Sequence, residues 1–247
     1  MIQLYNTILY QPIFNLLIFF YNIIPGHDIG LAILALTILV KVILLPFGAQ
    51  MLRSQKALQE LQPKLTELKE KYKNDKEKLA SETMQLYKTQ HVNPLSSCLP
   101  LLIQFPFLIA VYQSFQHGIA SQNLGMLYSF VANPGHINNI SFGFIDMAAP
   151  SLWLAVLAGV AQYIQTKMLI TTKPPIKSAV AKDEQMMASM NKSMQYFMPL
   201  LTIIIGMQLP SGLTFYWLIT TILTVLQQRF IFRVKKTNAA PTVTPSV

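Results

Sequence analysis

The sequence predicts an all-α polytopic membrane protein with five transmembrane helices, and two patterns carry that prediction. The first is where the cations fall. Of the 19 Lys and Arg residues, nine lie in Arg53–Lys88, five in Lys167–Lys192 and four in Arg229–Lys236, with long apolar runs between them. Residues 1–40, 93–166 and 193–228 hold none. Basic loops that alternate with apolar runs mark a membrane protein whose basic loops share the cytoplasmic side. The second pattern is apolarity: 52% of the 247 residues are hydrophobic and mean hydropathy is +0.40. The net charge of +9 therefore reads as topology. A nucleic-acid binder would interleave its cations with readout residues on a soluble face, so specific nucleic-acid recognition is excluded as the primary function.

Each element follows in order. Residues 1–26 are apolar but carry Gln3, Thr7, Gln11 and Asn15 at a spacing of four, which places these polar side chains on one helical face. That pattern predicts an amphipathic helix lying in the outer interface. A signal peptide is disfavoured, since no cationic start and no small-residue cleavage site precede Pro25-Gly26. Stretches of about twenty apolar residues suffice to cross about 30 Å of hydrocarbon, and they predict spans at 27–48, 95–116, 149–168, 194–209 and 210–232. Between the first two, residues 49–94 read as a cytoplasmic helical hairpin. Leu58, Leu61, Leu65, Leu68 and Tyr72 take a/d spacing among charged residues, a turn follows at Lys73–Lys76, and Leu79, Thr83 and Leu86 continue the pattern. This is the pattern of an antiparallel coiled coil. Its surface, with Lys64 in the first helix, suits docking to a partner or to anionic membrane lipids. An outer loop at 117–148, a cytoplasmic loop at 169–193 and a disordered cytoplasmic tail at 233–247 complete the threading, with the N-terminus outside. Asp28 and Asp146, the acids outside the basic blocks, then fall on the outer side.

No residue constellation offers covalent chemistry. Cys98 stands alone, His27, His91, His117 and His136 are scattered, and neither a metalloprotease helix, a nucleophile elbow nor a phosphate-binding loop is present. The expectation is a protein that is not an enzyme and carries no metal and no cofactor. The spans instead hold polar stripes. Thr37, Lys41 and Gly48 share a face of the first span, Ser97 and Gln104 share one on the second, and Gln162, Gln165 and Thr166 gather near the inner end of the third. Trp217, Thr220, Thr224 and Gln227 line the last. Polar groups are costly in hydrocarbon, so such faces should turn toward one another or toward water.

Lys41 is the sharpest of these features, a lone cation inside the apolar run Ile29–Phe47 with no acid in any span to neutralise it. Such a charge costs about 3 kcal/mol near a helix centre. A lysine stem two turns from the cytoplasmic end can snorkel to headgroups, but Thr37 continues the polar face deeper. A water-filled cavity open to the cytoplasm would solve the desolvation problem and leave the charge free to attract an anion. The rival reading is a small-anion transporter or channel built around Lys41; it calls for inverted repeats or a through-pore, and the apolar outer stretch Ile29–Leu36 supplies neither.

Four motifs give the chain a resemblance: Leu61-Gln62-Pro63-Lys64, Val92-Asn93-Pro94-Leu95, Cys98-Leu99-Pro100-Leu101-Leu102-Ile103-Gln104 with Pro106, and Leu209-Pro210-Ser211-Gly212-Leu213 followed by Tyr216. Together, in order and over about residues 12–233, they resemble the YidC/Oxa/Alb family of membrane protein insertases in its bacterial type; the sequence holds no further N-terminal span, large outer domain or lipobox cysteine, so the resemblance implies either a minimal form or a trimmed one. The resemblance implies a five-helix core around a hydrophilic groove open to the cytoplasm and lipid. It places the protein in the bacterial plasma (inner) membrane. In this family a groove arginine receives the polar outer segment of a nascent membrane protein while the apolar helix slides into lipid. Lys41 stands at that position, keeping the charge but not the bidentate fork. Gln104 and Tyr216 match groove positions, and Trp217 stands where a second tyrosine is common. With the polar residues above, the expected substrate groove is Lys41, Thr37, Gln104, Gln162, Tyr216, Trp217, Thr220 and Thr224. The expected partners are nascent membrane proteins, the Sec translocon, the signal-recognition-particle receptor and the ribosome, although the Ala/Pro/Thr tail argues against ribosome binding there.

Overall fold

The computed structural model describes residues 2–93, 99–116, 124–169 and 195–237. The expected cytoplasmic loop beyond residue 169, Ser97, Cys98, His117 and most of the tail lie outside the described residues. What is described is mostly helical: α1 (Ile2–Tyr5), a π-helical turn (Asn6–Tyr10), α2 (Gln11–Ile23), α3 (Ile29–Ile43), α4 (Leu45–Glu60), α5 (Gln62–Lys71) and α6 (Lys76–Thr89), then α7 (Leu99–Gln113), α8 (Leu152–Leu169), α9 (Gln195–Gly206) and α10 (Ser211–Thr237). A two-stranded antiparallel ribbon, β1 (Ile140–Ser141) and β2 (Ile145–Asp146), lies between α7 and α8.

Pro46 divides the first apolar stretch. Its missing N–H and its ring cannot continue an α-helix, so α3 ends at Ile43 and α4 leaves it at 68°. Among the described helices, α10 is long and apolar enough to cross a membrane on its own, through Ser211–Phe232. The bent pair Ile29–Ile43 and Leu45–Lys71 forms a second when taken as one span. The apolar stretches read at 95–116, 149–168 and 194–209 contain α7, α8 and α9.

The core gathers around α3 and α10. α10 packs chiefly on α8 and α3, and α2 packs on α3. Phe14, Leu17 and Ile18 of α2, Ile29, Ile33 and Leu36 of α3, Phe115 and Leu213 are buried together. Glycines permit two close approaches. A Cβ on Gly212 would collide with the Phe115 ring, and one on Gly159 with the Ile203 side chain, so α10 meets the turn after α7, and α8 meets α9, with no room for a methyl group.

The polar face of the N-terminal helix is used for packing. Asn15 is buried; its Nδ2 donates to Gln11 O (2.8 Å) and Met126 O (3.0 Å), and its Oδ1 accepts from Tyr128 N (2.6 Å). Gln11 Nε2 also donates to Met126 O (3.2 Å), and Asn22 Nδ2 donates to Ala132 O (2.6 Å). The amides thus strap the 124–138 loop onto α2. Gln3 and Thr7, earlier on the same face, are exposed.

At the other extreme of the chain path, α5 and α6 lie against each other across a turn at 72–75, with Asp75 capping α6 by accepting from Lys78 N (2.9 Å). Leu58, Leu61 and Leu65 are buried, Leu68 and Tyr72 half-buried, and Lys64 exposed. No residue of α6 is buried, so the α6 side of this pair is thinly packed.

Candidate functional site

The site is a polar strip on α10. Tyr216, Thr220 and Thr224 recur every four residues and so share one face, about 12 Å along the axis from first to last at 1.5 Å per residue. Two neighbouring helices each add a side chain. From α3, Lys41 Nζ donates to Thr224 Oγ1 at 2.7 Å, and that hydroxyl donates on to Thr220 O at 2.7 Å. From α7, Gln104 Nε2 donates to Tyr216 Oη at 2.8 Å. Between these two ties the buried Thr220 Oγ1 makes no hydrogen bond. A cation thus stands at one end of the strip and a phenol–amide pair at the other.

The electrostatics follow from what is missing from the sequence around Lys41. Residues 29–59, 83–145, 147–182 and 185–247 contain no acid, and the partner that holds the ammonium is a hydroxyl. One neutral acceptor leaves Nζ with further donors to offer, and Lys41 is half-buried rather than sealed. An anion or a polar segment that approached it would meet a charge that no acid among the described residues compensates.

The other expected groove residues are distributed unevenly. Thr37 is buried and donates to Ile33 O in its own helix (2.6 Å), so its hydroxyl is satisfied locally. Trp217 is half-buried beside Tyr216 on α10, and Gln162 is half-buried on α8, one turn before Thr166, which donates to the Gln162 carbonyl (2.9 Å). At the far end of the strip, Gln227 Nε2 donates to Leu45 O (3.3 Å) and lies against Gly48, so α10 touches the bend between α3 and α4. Sequence reading passed over Gln228, which is fully buried with neither amide atom partnered. Its one signal is heptad spacing from Thr214 and Thr221, which puts the three polar residues on one edge of α10.

The opposite end of α3 and α10 is laced shut. Asp28 caps α3 by accepting from Gly30 N (2.8 Å) and Leu31 N (3.1 Å), and its other oxygen accepts from Phe142 N (2.7 Å) in the ribbon turn. Ser141 Oγ accepts from Gly30 N (2.6 Å), and a Cβ on Gly30 would collide with Phe142, Ser141 and Met147 at 2.9 Å. Just beyond β2, Gly212 N donates to Met147 O (2.9 Å) and Ser211 N to Ala149 O (2.9 Å). Phe142 sits at φ +55°, a left-handed conformation that costs a residue with a Cβ about 1–2 kcal/mol. Its ring, edge-on to Phe215 at 5.7 Å, and its bond to Asp28 offset that cost. The strip is therefore stoppered where α3 and α10 begin, at the end away from Lys41.

The model of the 60Kd inner membrane protein family matches residues 19–239. Three similar proteins bear the name membrane protein insertase YidC. That of Fusobacterium nucleatum is 35% identical over 206 residues, which cover 83% of this chain and 87% of the relative. Those of Geotalea daltonii (33% over 223 residues) and Mannheimia succiniciproducens (34% over 226 residues) each match 90% of this chain. The chain spans most of the first relative's length but 36% of the length of the other two.

Proposed function

From its membership of the 60Kd inner membrane protein family, to which this chain belongs together with its YidC relatives, we propose that it is an insertase of the bacterial inner membrane. It inserts nascent membrane proteins by receiving the polar outer segment of the substrate on the α10 strip and releasing the apolar helix into lipid. The observation that carries this reading is the Lys41–Thr224 bond, which sets a lone cation on a polar face whose far end is stoppered by Phe142 and its neighbours.

The proposed mechanism needs no covalent step. The strip supplies hydroxyl, phenol and amide partners over about 12 Å, so a short polar segment crosses less bare hydrocarbon. Lys41 attracts acidic segments as a point charge, Gln104 and Tyr216 offer hydrogen bonds further along, and Gln162 and Trp217 border the path. Burial of the substrate's apolar helix in lipid, at about 25 cal/mol per Å², drives the process forward. In this reading the five spans run at 27–48, 95–116, 149–168, 194–209 and 210–232, with the N-terminus outside and the C-terminus cytoplasmic. The α4–α6 segment extends into the cytoplasm as the docking arm for a Sec-type channel, a targeting receptor or the ribosome, or for anionic lipid. The stoppered end argues against a through-pore, and hence against anion transport.

The test is insertion of a single-span protein with a short acidic outer tail into proteoliposomes, scored by protease protection. Wild type is expected to insert it, Lys41→Arg to do so comparably and Lys41→Ala to fail. An active Lys41→Ala would reduce Lys41 to a snorkelling residue; an inactive wild type would overturn the function.

A further inference from the structure

Two phenylalanines straddle Gly143 at the tip of the ribbon, and they point different ways. The turn bonds Phe144 N to Ser141 O (3.2 Å) and holds Phe142 and Gly143 at φ +55° and +80°. Phe142 is turned onto Phe215 and the first turn of α3. Phe144 is 80% exposed, Phe130 in the same loop 78% and Trp153 in the first turn of α8 79%. Ile140 and Leu152 are exposed as well. Isolated exposed apolar residues need no explanation, but a group of large ones at one end of a molecule does.

We infer that the β1–β2 ribbon is a lipid-embedded foot: Phe144 inserts into the headgroup–acyl boundary of the outer leaflet, with Phe130 and Trp153 at the same level. The inference rests on the membrane reading proposed above and adds a contact that the reading does not require. Three observations favour lipid as the occupant. The ribbon's level is fixed, because its hydrogen bonds join it to the first residues of α3 and, through Met147 and Ala149, to those of α10. The ribbon is followed in the chain by α8, where Leu152, Trp153, Val156, Leu157, Val160 and Ile164 form one exposed apolar stripe starting six residues after β2. Residues 124–151 contain no Lys or Arg and one acid, Asp146, so the surface offers a protein or nucleic-acid partner little charge to read. Phe144 has no polar atom to keep in water, and an exposed tryptophan at a helix end is the side chain that interfaces select.

The experiment places a nitroxide at Phe144→Cys in the full chain, with the single native cysteine removed as Cys98→Ser, in vesicles of phosphatidylethanolamine and phosphatidylglycerol. Collision with oxygen, which concentrates in lipid, is compared with collision with a water-soluble nickel complex. Leu157→Cys on the α8 stripe is the lipid reference and Lys73→Cys at the exposed helical turn the aqueous one. The ratio of oxygen to nickel accessibility is expected above one at 144 and 157, with 144 shallower, and below one at 73. A ratio below one at 144 with 157 unchanged overturns the foot and leaves the membrane reading standing. So does a site at 144 that neither reagent reaches, which would mean a protein cover such as a second copy of the chain. A ratio below one at 157 overturns the membrane reading and the foot with it. Phe144 packs little, so Phe144→Trp in a chain whose Trp153 and Trp217 are replaced by Phe is expected to fold and to fluoresce with quenching by lipids brominated high in the acyl chain; quenching by aqueous iodide instead would contradict the proposal.

Discussion

Replacing Lys41 with methionine keeps an unbranched apolar stem, one atom shorter, and removes the charge, which largely separates electrostatics from packing. The structure bounds the effect. At a contact distance of 4 Å a unit charge pair is worth about 1 kcal/mol in water and about 4 kcal/mol at an effective dielectric of 20. Lys41 is half-buried, held by one neutral hydroxyl and paired with no acid among the described residues, so its attraction for an incoming carboxylate should lie between those limits. With about 1.4 kcal/mol per factor of ten, those limits bound the slowing of an acidic-tailed substrate by Lys41→Met at roughly 5- to 700-fold, and an attraction of about 2 kcal/mol gives roughly 30-fold. The assay measures initial insertion rates for two substrates that differ only in tail charge, acidic or neutral. Lys41→Met should slow the neutral tail by less than about twofold, and Lys41→Arg should preserve the preference for the acidic tail, since Arg retains the point charge. Equal loss for both tails would refute the argument, because the cation would then support the fold rather than attract the substrate.

Three further outcomes follow from the packing and the caps. Gly212→Ala forces a methyl group into the Phe115 ring and should cost about 1–3 kcal/mol as overpacking; thermal unfolding in detergent should show Phe115→Leu restoring part of that loss. Gly159→Ala meets Ile203 and should behave alike, with Ile203→Ala as the relieving partner and strict additivity counting against the α8–α9 contact. Asp28→Ala removes the acceptor of three backbone N–H groups, those of Gly30, Leu31 and Phe142, and should destabilise by about 1–3 kcal/mol. Its signature should be faster amide exchange at Phe142, whereas unchanged exchange there would disconnect Asp28 from the ribbon.

Much of this site is legible in the sequence because membranes make polar residues conspicuous. Lys41, Thr224, Tyr216 and Gln104 stand out against apolar surroundings by type and spacing alone, and the structure brings all four onto one strip. Thr37 shows the limit of such reasoning: its periodicity puts it on the face of Lys41, yet a threonine in a helix can satisfy its hydroxyl on its own backbone, and this one does. Gln228 shows the converse, since its spacing from Thr221 places it on an edge of α10 without telling that it is buried while Gln227 beside it is half-buried.

Composition, charge blocks and helical period suffice to specify a helical membrane protein and to name its lone cation, because the cost of polar groups in hydrocarbon acts on each residue separately; the family is marked instead by four short motifs. The 68° bend at Pro46 is nearly as local. The rest depends on residues more than a hundred positions apart: Asn15 holding Met126 and Tyr128, Asp28 bonding Phe142, and Ser141 meeting Gly30. A hydrogen-bond face records that a partner is needed but not which one. Only the folded packing turned the amides of α2 toward the loop, spent a left-handed phenylalanine on closing one end of the strip and left the cation available at the other.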